Sequence, residues 1–243
     1  MLIQADLHTH TIASTHAYST ITENCQQAER IGLKCVAMTD HAMMMPDSPH
    51  IWHFGNMTVL PRKISNVCVL KGAEVNIYNY NGDIDIPEQR LKKLEWVVAS
   101  YHRYMFEGDL PDDPKTVTDG YMKLFENPYV DLIGHPTTTL FPVEWERFVI
   151  GAKEHDKLLE LNESSVLTGK SPKENVVAML ELCKKYDVPI CVDSDAHFWS
   201  GIGQTPLAEQ ILSELDFPQK LIANADWNSL RERILIKRPH LDI

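Results

Sequence analysis

No apolar run in the sequence approaches the roughly 18 residues that a membrane-spanning helix needs, so no segment reads as transmembrane. The opening stretch Met1-Leu-Ile-Gln-Ala-Asp-Leu-His8 has neither a basic n-region nor an apolar h-region, and it does not read as a secretory signal. The five cysteines (Cys25, Cys35, Cys68, Cys183, Cys191) form no C-x-x-C pair, and several sit in apolar runs such as Val188-Pro-Ile-Cys-Val192. An odd set of thiols in such surroundings argues against a disulfide framework and for buried, reduced cysteines in a cytoplasmic protein. Positive charge is in deficit: the formal net charge is −11, which weighs against duplex nucleic acid and anionic membranes as partners. Internal repeats, low-complexity tracts and Gly/Ser- or Pro-rich linkers are absent, so a single domain over residues 1–243 is expected.

What is present is ordinary in bulk, with 44% apolar and 23% charged residues, enough to build a sizeable core. Short apolar runs alternate with helical patterns, the mark of repeated β-α units. Strands are expected near 2–7, 34–39, 67–72, 96–100, 130–133, 158–161 and 189–192. Helices are expected between them: one opened by the capping box Thr20-Ile-Thr-Glu23 and closed by Gly32, one opened by Ser171-Pro172-Lys-Glu174 and running to Tyr186. Further helices are expected near 119–126, 143–154 and 206–215. Segments 43–61 and 107–114 read as loops. The fold class is therefore α/β, and about 250 residues suits a barrel of such units.

The histidines carry the functional signal. His8 and His10 follow the first strand in Asp6-Leu-His-Thr-His10, with His16 shortly after, and His41 follows the second in Thr39-Asp-His41. Glu74 follows the third in Lys71-Gly-Ala-Glu-Val75, His102 the fourth in Ser100-Tyr-His102, and His135 the fifth in Gly134-His-Pro136. Asp195 and His197 follow the seventh in Asp193-Ser-Asp-Ala-His197. In a parallel barrel all strand C-termini open on one face, where active sites are built. Donors remote in sequence would then converge, and an imidazole–carboxylate set suits zinc, manganese or iron. A lone H-x-H is weak evidence; nine donors after six strands are not. Asp6 and Asp40 are expected to orient ligand histidines, His155 and His240 to lie on the surface, and His50 and His53 to be loop residues within reach of a substrate.

In order and spacing, these motifs resemble the PHP (polymerase and histidinol phosphatase) superfamily, and within it the YcdX-like phosphatase branch. The resemblance implies a distorted (β/α)7 TIM-like barrel with a trinuclear, usually zinc, centre. It implies that His8, His10, Glu74 and Asp195 hold the first ion, that Glu74 bridges to a second ion bound by His102 and His135, and that His16, His41 and His197 take the third. It also implies self-association, with a trimer the favoured form.

Three dications against two carboxylates leave about +4 in the cleft, a trap for phosphate despite the acidic surface. Metal can lower the pKa of bound water to about 7, so the expected reaction is attack by a metal-activated hydroxide on a small phosphate monoester. Asp195, or a nearby histidine such as His102 or His197, could relay the leaving-group proton, and Arg103 could pair with phosphate. No G-x-S-x-G nucleophile motif competes with this reading. Trp52, Phe54 and Tyr104 are candidates to stack on a substrate. The rivals are a phosphodiesterase or nuclease of the same superfamily, a hydrolase of amide bonds, and a non-catalytic metal-binding module. An acidic chain without a basic stripe disfavours the first, and the lack of a lysine at a strand end the second. A full set of donor positions disfavours the third.

Overall fold

The computed structural model of the protein describes residues 2–106, 110 and 113–243. Of the loop expected at 107–114, residues 107–109, 111 and 112 lie outside the described set. The chain runs β1 (Ala5–Thr9), α1 (Ile21–Ile31), β2 (Cys35–Met38), α2 (Trp52–Asn56), β3 (Lys63–Ile64), β4 (Val67–Ile77), α3 (Glu88–Leu91), β5 (Trp96–Tyr101) and α4 (Pro114–Phe125). It continues through β6 (Leu132–Ile133), α5 (Trp145–Glu154), β7 (Leu158–Asn162), α6 (Glu163–Leu167), α7 (Lys173–Tyr186), β8 (Ile190–Asp193), α8 (Pro206–Glu214) and α9 (Trp227–Lys237).

Seven strands pair in parallel in the order β1-β2-β4-β5-β6-β7-β8, and two-residue β3 adds antiparallel to β4. The ends of the sheet meet where Asp195 N–H donates to His8 O and His10 N–H to Ala196 O, each at 2.9 Å. This is the expected distorted (β/α)7 barrel. The capping box at Thr20 and Glu23 and the left-handed Gly32 cap also form as expected. At Ser171-Pro172-Lys-Glu174 they do not: Pro172 is itself the cap, because the Ser171 hydroxyl is engaged by the Thr137 hydroxyl at 2.8 Å. Helix α4 begins five residues earlier than expected, where Asp113 accepts from the N–H groups of Lys115 and Thr116 and Pro114 takes the first position.

The barrel interior is filled by Ala5, Leu7, Ala37, Leu70, Trp96, Val98, Leu132 and Leu158, and α9 closes its lower end by adding Leu230 and Ile234. That helix is pinned by Arg238, which grips Asp131 with two parallel hydrogen bonds of 2.9 and 2.7 Å and donates to Leu94 O at 3.0 Å. Both side chains are buried. Replacing Arg238 with Met would strand the Asp131 charge inside the protein; the expected cost is about 3 kcal/mol, near the lower end for a broken buried pair because Lys237 remains nearby. Urea denaturation of the variant checks it.

Candidate metal centre

Side chains alternate across a strand, so the residues filling the barrel and those above them share a face. On β4, Glu74 stands on the same face as Leu70; on β5, Ser100 stands on that of Val98; on β7, Glu160 and Asn162 stand on that of Leu158. Strand β1 breaks this alternation with an extra residue between the Asp6–Val36 and Thr9–Met38 pairs. The bulge lets Leu7 fill the core and the next residue, His8, still turn into the mouth. Two expectations are thereby corrected. His8 and Glu74 lie within strands rather than after them, because β1 and β4 continue past the apolar runs that revealed them.

The buried Glu74 carboxylate is the focus of the site. Its Oε2 lies 3.3, 3.6 and 3.0 Å from Nε2 of His8, His10 and His41, and its Oε1 lies 3.4 and 3.1 Å from Nε2 of His102 and His135. Ser100 donates to the same Oε1 at 2.6 Å. Asp195 Oδ1 adds a second carboxylate, 3.1 Å from His10 Nε2 and 3.7 Å from His8 Nε2. The His197 ring stacks 4.2 Å from that of His10. His16 stands at the rim, half exposed, with its ring 4.4 Å from that of His197. All nine expected donors thus gather in one place. Arg103, exposed in a short 3-10 turn after β5, donates to Phe106 O.

The opposite ring nitrogens are held from outside. His8 Nδ1 meets Glu160 at 2.8 Å, His102 Nδ1 meets Asn76 at 2.7 Å, and Nδ1 of both His41 and His16 meet Asp47 at 2.9 and 2.8 Å. With Nδ1 engaged, Nε2 is aimed inward, the arrangement by which carboxylates orient metal-ligating imidazoles. Asp40 accepts from Thr11 and Ser14 and faces His53 Nε2 at 3.2 Å, while Ser14 lies 3.4 Å from His10 Nδ1, so its support of His10 is indirect. Asp6 holds no histidine: it accepts from Ser194 and Gly203, and so fixes the loop that carries Asp195 and His197. Phe54 is buried and packs in the core, whereas Trp52 and Tyr104 are exposed.

Sequence reasoning missed Glu160, Asp47, Asn76 and Asn162. Glu160 had a signal, a fully buried carboxylate inside the apolar run Leu158-Leu-Glu-Leu-Asn162. Asp47 had none, sitting in an irregular loop.

Backbone strain supports the geometry. His135 has φ +30° and Asp195 φ +53°, left-handed conformations that side chains other than glycine rarely adopt. Preceding His135, Gly134 leaves no room for a Cβ, which would collide with the Ser100 hydroxyl that bonds Glu74.

The electrostatics call for cations. Burial alone would lower His8, yet Glu160, Glu74 and Asp195 together hold it well above the ordinary imidazole value. Burial likewise opposes protonation of His41, but Asp47 and Glu74 raise it to about 10. Glu74 and Asp195 are held below the usual carboxylate range, the neighbouring imidazoles outweighing burial. His10, buried beside His41, falls to about 3, and burial also lowers His102 and His197. Meanwhile Nε2 of His8, His10 and His197 are buried without a hydrogen-bond partner. Lone pairs and anions facing one another, with donors within 4.8 Å in sets such as His10–His41–His197 and His8–His10–Glu74, fit shared metal ions.

Barrel and centre together define an α/β barrel with a histidine–carboxylate cluster at its mouth that could hold metal ions. The chain belongs to the PHP domain family, whose model matches residues 6–166. It is 41% identical over 239 residues to a "Probable phosphatase" of Thermoanaerobacter sp. (strain X514), covering 98% of this chain and 97% of the relative. A "Probable phosphatase" of Clostridium novyi (strain NT) is 42% identical over 226 residues, 93% of this chain and 91% of the relative. With relatives along its whole length, the chain is an enzyme of the phosphatase class. A Lactococcus lactis histidinol phosphate phosphatase, solved with zinc, L-histidinol and phosphate, shares the fold at a TM-score of 0.51 and 13% identity, over 90% of this chain and 95% of that one. Among the described residues no helix is long and apolar enough to cross a membrane.

Proposed function

We propose that the protein hydrolyses small phosphate monoesters at a centre of three divalent cations, zinc foremost. The observation that carries this reading is the single Glu74 carboxylate facing the Nε2 atoms of five imidazoles. His8, His10, Glu74 and Asp195 would hold one ion, Glu74 with His102 and His135 a second, and His16, His41 and His197 a third. Bound there, the ions would neutralise phosphoryl charge and make a water molecule acidic enough to serve as nucleophile at neutral pH.

The chain's own residues do the rest. Glu160, Asn76 and Asp47 keep the rings from turning, and Asn162 donates to Asp195 Oδ2 at 3.2 Å, leaving Oδ1 toward the imidazoles. Asp195, 3.6 Å from His197 Nδ1, would take or return a proton, with His197 and His102 as relays. Arg103, in the turn that follows His102, would pair with phosphate oxygens through its guanidinium.

Removing metal provides the test. Protein purified without chelators should carry about three equivalents of metal by plasma mass spectrometry. Chelation should reduce turnover of phenyl phosphate by on the order of 100-fold or more, with recovery on adding zinc. Single-stranded DNA offered to the same preparation should remain intact. A metal-free yet folded and active protein would sink the proposal, and cleavage of the DNA in preference to the ester would replace it with the nuclease reading.

A further inference from the structure

The mouth is built from the segments that follow the parallel strands, which among the described residues are 10–20, 39–60, 78–87, 102–106, 134–144, 163–172 and 194–205. Their chemistry is lopsided. Of the chain's 23 lysines and arginines, only Arg103 and Lys170 fall in them, while Asp47, Asp83 and Asp85 are among their acidic residues. Their apolar residues show the opposite bias. Every exposed large apolar side chain among the described residues, Ile236 excepted, stands in one of these segments, with Ile12, Tyr18, Trp52, Tyr104, Leu140 and Phe198 between 47% and 74% exposed.

Several are tied directly to the cluster. Tyr18 N–H donates to His197 O at 2.8 Å, Phe198 follows His197 in the chain, and Tyr104 lies two residues beyond His102. Apolar surface concentrated at one end of a protein marks a site of contact, because leaving it in water is unfavourable. Fixed positive charge, which a second phosphate or carboxylate on the substrate would need, is nearly absent there.

We infer that the preferred substrates carry a single phosphate on an apolar leaving group without further anions, and that Tyr18, Tyr104 and Phe198 determine this specificity. The inference rests on the phosphatase reading and narrows it. The metal centre takes the one dianion, and the rim takes the hydrocarbon.

Alkyl phosphates isolate the effect. Hexyl phosphate and 1,6-hexanediol bisphosphate present the centre with the same alkoxide leaving group and differ only at the far end. In the metal-loaded enzyme, kcat/KM should rise at least about tenfold from methyl to hexyl phosphate and fall at least about tenfold from hexyl phosphate to the bisphosphate. Tyr104→Ala and Phe198→Ala should lower kcat/KM at least about fivefold more for hexyl than for methyl phosphate, chiefly through KM. Turnover of all three esters at equal efficiency, or a preference for the bisphosphate, overturns this inference alone. Inertness toward every ester overturns the phosphatase reading and this inference with it. If Y104A and F198A abolish concentration-dependent self-association in gel filtration while leaving the hexyl-to-methyl ratio unchanged, the rim belongs to a second copy of the chain and the inference fails.

Discussion

Replacing Glu74 with glutamine is expected to lower kcat/KM for a simple phosphomonoester by on the order of 10³-fold, the largest single-residue effect in the molecule. The amide has nearly the same shape and can still accept from Ser100, which bonds Glu74 Oε1 at 2.6 Å, so the fold has no reason to change. What disappears is the negative charge that five imidazoles face. A cation shared at this point would lose its anionic bridge, and metal stabilisation of a phosphoryl transition state is worth several kcal/mol, each 1.36 kcal/mol being tenfold in rate. Metal content should fall in parallel, while far-ultraviolet circular dichroism remains that of the parent. A Glu74→Gln enzyme that kept both its metal and its turnover would refute the bridging role.

The second large effect is expected one layer out. Glu160 is completely buried and holds two of the proposed ligands at once: His8 through Nδ1 at 2.8 Å, and His135 through its backbone N–H at 2.6 Å. Glu160→Gln keeps the size but removes the charge that fixes the His8 ring. Loss of such an outer carboxylate typically costs 10- to 100-fold in metal affinity. The expected result is a zinc affinity weakened by roughly that factor, with turnover largely recovered at saturating zinc. That recovery separates a positioning role from a catalytic or merely structural one: a Glu160 that took part in the reaction itself would leave kcat depressed at any metal concentration. Unchanged zinc affinity would show that His8 is held by other means.

Both predictions concern residues that the sequence treats very differently. Glu74 announced itself by standing in a strand pattern beside Gly72-Ala73, in register with histidines after other strands. Glu160 stands in the one strand whose end carried no expected donor, yet the structure makes that strand part of the site through Glu160 and Asn162. A carboxylate inside an apolar run was the visible clue. Asp47 and Asn76 offered no clue of that kind, since an aspartate in a loop and an asparagine in a strand are compatible with many environments. Asp6 shows the converse: its place beside His8 suggested support of a histidine, whereas it holds the Ser194–Gly203 loop. Two residues apart in an unbroken strand, Asp6 and His8 would share a face; the bulge that begins after Asp6 turns His8 into the mouth and leaves Asp6 outside it.

The sequence by itself determined the architecture and the convergence of the histidines and carboxylates at one end of it, because the pattern of apolar runs places the strand ends. Apolar runs spaced by helical patterns specify parallel β-α units, and a parallel barrel brings every strand end to one face whatever lies between. Which atom of each residue faces the centre was decided only by the tertiary structure. The bulge in β1 turns His8 inward beside Leu7, and the left-handed backbones of His135 and Asp195 set their side chains over the mouth. Outer partners contributed from other strands and loops hold each ring at Nδ1 and so present Nε2. Those choices depend on register and on contacts between residues far apart in the chain, and a linear pattern does not encode them.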